Sequence, residues 1–171
     1  MAVLKPRASD APEPATPADR RHPQFPMVGV GAVVFDLLDR VLLVQRGNPP
    51  HEEQWGLPGG LVELGENLHD ALRRELREET AIEVRILDQI GVYEPIIRDR
   101  DQTVLYHYVV IDYLCRWQAG ELTPGDDARA AAWVSAHNLE RYGLAETAEG
   151  MIKAGRSRLV AIEAAKRGVG G

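Results

Sequence analysis

Glu75, Glu78 and Glu79 are the residues of this chain whose type and spacing bear most directly on chemistry. They stand at i, i+3 and i+4, so on a helix their side chains share one face. Carboxylates held that close repel one another and raise each other's pKa values. A bound cation offsets that repulsion, and an all-oxygen donor set selects a hard one: Mg²⁺, Mn²⁺ or Ca²⁺. Upstream runs Trp55-Gly56-Leu57-Pro58-Gly59-Gly60, whose paired glycines allow backbone to approach a metal or an anion closely.

The elements that must hold these groups can be read around them. Asn67 is an N-cap for a helix from Leu68 to Thr80, with Asp70 completing a variant of the capping box. Leu68, Leu72 and Leu76 form an i, i+4, i+8 stripe that must face a core, and the carboxylates lie off it. Met27 to Phe35 and Val41 to Gln45 read as strands joined by a turn at Asp36 to Arg40, which makes a hairpin. Glu83 to Ile90, Thr103 to Trp117 and Ala130 to Val134 read as further strands. Ser135 opens a short helix, and Thr147 to Lys166 carries Met151, Ile152, Leu159 and Ile162 at helical spacing. Residues 1–24 are rich in proline and alanine and read as a flexible or loosely packed extension, leaving 25–171 as one folded domain. Strands, a helix, more strands and a last helix predict a mixed α/β sandwich.

Composition narrows the partners. The chain has 171 residues, of which 44% are apolar, enough for one domain with a sizeable core. A net charge of −6 favours neither nucleic acid nor an anionic membrane. An anionic substrate would therefore need local cations. The one cysteine, Cys115, excludes an internal disulfide or a cysteine-rich zinc site, and its apolar surroundings predict an inert buried thiol. The N-terminus has no apolar core of a signal peptide and no stretch is long enough to span a membrane, so a cytoplasmic protein is expected.

Written from Gly60, the spacing is five residues to Glu66, seven more to Arg74-Glu75-Leu76, one to Glu78-Glu79 and one to Ala81-Ile82. This resembles the Nudix box, with every fixed position matched except the last glycine, which is Ala81 here. The preceding Trp-x-x-Pro-Gly-Gly is similar to what leads into that box. Phe25 to Phe35 with Leu43 to Arg46 looks like the opening of ADP-ribose-pyrophosphatase-like members. The resemblance covers Gly60 to Ile82 for the box and about Met27 to Arg158 more broadly. It implies a mixed-sheet α/β/α sandwich, a Mg²⁺ cofactor with Mn²⁺ as the alternative, and hydrolysis of a diphosphate linkage in ADP-ribose or a similar sugar nucleotide. By matched position, Glu75, Glu78, Glu79 and the Gly59 carbonyl become metal ligands. Glu75 serves as the base rather than as a ligand in some members. Arg74 is expected to orient the glutamates through ion pairs with Glu78 and Glu66. The departure at Ala81 touches little of this chemistry. The glycine there normally ends the helix, often in a left-handed conformation, which in alanine costs on the order of 1 kcal/mol.

Outside the box, Arg46 at the end of the second strand is a candidate phosphate clamp. Asp126, beside Asp127, is a candidate late-loop acid, a role known in ADP-ribose pyrophosphatases; the competing reading is an exposed acidic turn. Tyr93, Tyr106, Tyr108 and Phe35 could stack on a base, although strand aromatics more often belong to the core. His107 reads as a packed histidine. The expected partner is a small-molecule nucleotide, with a homodimer through the N-terminal extension as a candidate assembly. A MutT-like triphosphatase that clears oxidised nucleotides is the second enzyme reading. A non-catalytic nucleotide sensor is the third, and the intact glutamates favour an enzyme over it.

Overall fold

The computed structural model describes residues 20–47, 52–125 and 128–168. Eight strands and two α-helices follow in chain order: β1 (Met27–Phe35), β2 (Val41–Arg46), β3 (Trp55–Gly56), β4 (Gly59–Leu61), α1 (Leu68–Thr80), β5 (Glu83–Tyr93), β6 (Ile96–Arg98), β7 (Val104–Ala119), β8 (Ala128–Val134) and α2 (Glu146–Gly168). A 3₁₀ turn, Ala136–Tyr142, follows Ser135 and leads toward α2. The main sheet runs β3-β2-β1-β7-β5, with β8 on β2, β4 on β1 and β6 on β7.

β1 lies at the centre because its residues are apolar on both faces. Strand side chains alternate, so Val30, Ala32 and Val34 point one way and Val33 and Phe35 the other. The first set packs with Leu72 and Leu76 of α1, the second with Ile152 and Leu159 of α2. This gives the expected mixed-sheet α/β/α sandwich, with two cores separated by one sheet. β7 runs parallel to β1 from Met27↔Tyr108 to Phe35↔Arg116. Cys115 is fully buried in the α1-side core, and burial pushes its thiol up to about 12, as expected for an inert thiol. No helix among the described residues is long and apolar enough to cross a membrane.

The expected hairpin of β1 and β2 meets only at Phe35↔Val41. Asp36 Oδ1 accepts from the Leu38 and Arg40 amides at 2.9 and 2.8 Å and ties the turn, after which the strands part. β2 goes on to pair with β8 and β3. The edge of β1 it leaves is taken by β4, with Gly29↔Leu61, Val30↔Gly60 and Gly31↔Gly59. That split seats the paired glycines on the central strand, directly before α1. β3, β4 and β6 carry no periodicity in the sequence and were not expected there.

The segment read as a loose extension also needs correcting at its end. His22 N donates to the Leu105 carbonyl at 3.0 Å, and Arg21 Nε donates to the Tyr106 hydroxyl at 3.2 Å. Residues 20–22 are therefore docked along the start of β7, while residues 1–19 lie outside the described residues.

Candidate active site

α1 is fixed at both ends and along one side. The Asn67 side chain accepts from the Asp70 amide at 3.0 Å, the expected N-cap. Leu72 and Leu76 are fully buried, while Leu68 packs on the edge of the same core. Ala81 adopts the left-handed conformation, φ 56° and ψ 18°, and its amide donates to the Arg77 carbonyl at 3.0 Å. The last carbonyls of the helix are met from outside: Gly125 N donates to Glu79 O at 2.9 Å and Thr123 N to Thr80 O at 3.1 Å. Those two bonds bring the strand-free stretch before β8 against the C-terminus of α1.

Arg74 is the hub of the acidic face. Its Nε and Nη2 donate to the two oxygens of Glu66 at 3.0 and 2.9 Å, a bidentate fork. Nη2 also donates to the Leu61 carbonyl at 2.9 Å. Nη1 donates to Glu75 at 2.9 Å and to Glu78 at 3.0 Å. One guanidinium thus joins the loop after β4 to two of the box glutamates. The Glu66 contact, above all, raises the Arg74 pKa further, and the same bond holds the Glu66 carboxyl below its usual range.

The glycine pair brings backbone to the carboxylates. Gly59 has φ 146°, which favours glycine, and a methyl group there would run into the Val30 carbonyl. Its amide donates to Glu79 Oε2 at 2.9 Å. A methyl at Gly60 would collide with the Glu75 carboxylate, so that carboxylate lies directly over the loop. Burial pushes the Glu75 carboxyl above the usual range, against the opposing pull of Arg74. Glu78 is the open member, with its side chain 60% exposed.

These residues fit a divalent cation by their chemistry. Every donor is a hard oxygen, and the half-buried carboxylate of Glu75 is the kind of group a cation stabilises. Among the described residues the acids are not gathered into a ready-made cluster, because Arg74 supplies the charge between Glu75 and Glu78 and Glu79 turns to Gly59. Two surface hollows lie elsewhere, about 170 Å³ near Arg77 and Val84 and about 210 Å³ near Asp36 and Trp133, so neither marks this site.

The structure brings Gly59, Arg74, Glu75, Glu78 and Glu79 together. Arg46 ends β2, and its charge is felt at Tyr108. Asp126 lies outside the described residues, next to the docked Gly125. Phe35 is fully buried and Tyr106 nearly so, which removes both as base-stacking candidates, while Tyr108 is half-buried and Tyr93 exposed. Two groups had drawn no attention in the sequence. Asp112 is a buried acid in β7, and Arg20 sits at the end of the proline-rich segment. A lone acid inside an otherwise apolar strand was the available signal for the first.

The profile of the NUDIX domain matches residues 25–155, and the chain belongs to this family. Among its relatives is an ADP-ribose pyrophosphatase of Methanocaldococcus jannaschii, 34% identical over 116 residues, covering 68% of this chain and 66% of that protein. The chain thus spans about two thirds of that relative's length. Among solved structures, the NUDIX domain of Shewanella oneidensis NrtR complexed with ADP ribose superposes with a TM-score of 0.67 at 27% identity, covering 80% of this chain and 90% of that one. A MutT NUDIX hydrolase of Burkholderia pseudomallei gives 0.65 at 28% identity, covering 77% and 98%.

Proposed function

We propose that this protein is a Mg²⁺-dependent pyrophosphohydrolase, with Mn²⁺ as the alternative ion, acting on a nucleoside diphosphate linked to a further group. ADP-ribose or a similar sugar nucleotide is the substrate class best supported. The observation that carries this reading is the Glu75 carboxylate lying over Gly60, with Glu78 and Glu79 on the same helix. Similarity to an ADP-ribose pyrophosphatase and to a domain complexed with ADP ribose supports the substrate class. The same reading has the protein act in the cytoplasm on small nucleotides, without nucleic acid or membrane, and as a candidate homodimer.

Glu75, Glu78, Glu79 and the Gly59 carbonyl would hold the ion. Bound there, it would neutralise charge on the diphosphate and lower the pKa of an attacking water. The remaining work belongs to the chain. Arg74 sets the directions of Glu75 and Glu78 through its two Nη1 bonds. Burial raises the Glu75 carboxyl, which favours Glu75 as the proton acceptor where it does not serve as a ligand. Arg46 would meet a substrate phosphate, and Asp126 would add a base or a further ligand.

A substrate panel tests the reading: ADP-ribose, NADH, diadenosine polyphosphates, dNTPs and 8-oxo-dGTP with Mg²⁺ or Mn²⁺, products resolved by chromatography. ADP-ribose should give AMP and ribose 5-phosphate. Preferred cleavage of 8-oxo-dGTP would favour the MutT-like reading, and tight binding with no turnover of any compound would leave a sensor. Glu79→Gln should abolish metal-dependent turnover while the fold persists; wild-type rates in that variant would remove Glu79 from the ligand set.

A further inference from the structure

The last turn of α1 carries Glu78 and Glu79. A helix is weakest there, because its final carbonyls have no partner within the helix. The turn ends on Ala81 in the left-handed conformation, which in alanine costs on the order of 1 kcal/mol. The segment between β7 and β8 meets this end from outside. Thr123 N donates to Thr80 O at 3.1 Å, and Gly125 N donates to Glu79 O at 2.9 Å. The approach at Gly125 is too close for a side chain. A methyl there would lie 1.8 Å from the Glu78 carbonyl oxygen and 3.4 Å from Glu79 Cα. Both obstacles are helix backbone, which cannot swing aside. Glu79 is thereby held twice: Gly59 N, on β4, donates to its carboxylate, and Gly125 N donates to its carbonyl. Gly120, earlier in the same segment, presses on the helix end further along. A methyl there would meet Ala81 O at 2.4 Å and Ile82 Cα at 2.9 Å, past the turn that carries the glutamates.

We infer that Gly125 is a positioning residue for the metal-binding glutamates. Its amide and its missing side chain fix where the last turn of α1 lies, and so where Glu78 and Glu79 present their carboxylates. Groups that orient a metal's ligands from behind matter to affinity nearly as much as the ligands themselves, and their loss typically weakens binding by about 10- to 100-fold. Gly120 packs on Ala81 and Ile82 instead, so it supports the same helix end without holding a ligand. The inference rests on the assignment of Glu78 and Glu79 as ligands in the pyrophosphohydrolase reading above.

Two measurements on the full chain test this, and only one of them needs catalysis. The first is binding of Mn²⁺ alone, followed by loss of the free ion's electron paramagnetic resonance signal. The second is turnover of ADP-ribose as a function of Mg²⁺ concentration. Gly125→Ala should weaken Mn²⁺ binding by about 10- to 100-fold and raise the Mg²⁺ concentration for half-maximal rate by a similar factor, with KM for ADP-ribose changed by less than about threefold. Gly120→Ala should also lower the melting temperature, yet change Mn²⁺ affinity by less than about threefold. Thr123→Pro deletes the neighbouring amide and leaves Gly125 in place. It should weaken Mn²⁺ binding in the same sense, and it carries the test if Gly125→Ala does not fold. If the wild type binds Mn²⁺ but turns over no ADP-ribose, and Gly125→Ala still loses affinity, the substrate reading fails and the positioning role stands. Wild-type Mn²⁺ affinity in Gly125→Ala, or in Thr123→Pro where that variant stands in for it, overturns the inference. So does an equal loss of affinity in Gly120→Ala, which would make both glycines merely structural. A wild type that binds no Mn²⁺ overturns the inference together with the ligand assignment.

Discussion

Gly59 and Gly60 are adjacent, yet a methyl group added to each meets different atoms. At Gly59 it meets the Val30 carbonyl, and the backbone sits at φ 146°. Neither obstacle can move without parting β4 from β1. Gly59→Ala should therefore destabilise the fold by about 2 kcal/mol or more, read as a lower midpoint in urea. At Gly60 the obstacle is only the end of the Glu75 side chain, which can swing aside. Gly60→Ala should fold with a loss of about 1 kcal/mol or less and yet lose about 100-fold or more in turnover, because Glu75 is displaced. Equal losses of stability in the two variants would contradict this division. Ala81 presents the opposite case, a side chain where glycine is preferred, at φ 56°. Ala81→Gly should stabilise by about 1 kcal/mol and leave turnover unchanged.

At the scale of elements, the site depends on one cross-link between the loop after β4 and the face of α1. Arg74 makes it through the Leu61 carbonyl, Glu66, Glu75 and Glu78, with its own side chain 21% exposed. Lysine keeps the charge but cannot bridge four groups in one plane. Arg74→Lys should cost about 1–3 kcal/mol in stability and lower turnover by about 10- to 100-fold. A variant with full activity would mean that the glutamates are oriented without the clamp. The helix that carries this cross-link was legible from Asn67 to Thr80, because cap, leucine stripe and acidic face all pointed to one register. The Glu78 partner of Arg74 was legible for the same reason, standing one helical turn away, whereas Glu66 lies before the N-cap and was only a further candidate. β3 and β4 were not, since strands of two or three residues around glycine have no period to detect and owe their existence to β1 and β2. The short contact of the first hairpin was equally hidden, because strand pairing depends on which neighbours compete for an edge. Arg20 was hidden by the prolines before it, which describe chain stiffness and carry no information on docking.

Over the whole molecule, one sheet separates two cores, and Asp112 stands on it at 5% exposure. It pairs across β7 with Gly31 on one side and Gly91 on the other. A methyl at Gly31 would strike its Oδ1, so the carboxylate leans over a glycine that leaves it room but offers no side-chain donor. Burial raises its pKa from 3.8 to about 6. A carboxyl raised in this way favours the folded state when protonated. Its contribution is fully present below about pH 4 and is lost as pH rises through 6, so the wild type carries a penalty above pH 7. From the size of the shift, that penalty is on the order of 2–3 kcal/mol. Asp112→Asn keeps the shape and removes the charge. Urea unfolding at pH 8 should find the variant more stable by about that amount, and at pH 4 the advantage should vanish. Glu75 is shifted up and Glu66 down, but both are common to the two proteins and cancel in the difference. A variant weaker than wild type by the same margin at both pH values would mean that the carboxylate is held by a favourable contact, and that its burial is not a cost the fold sustains.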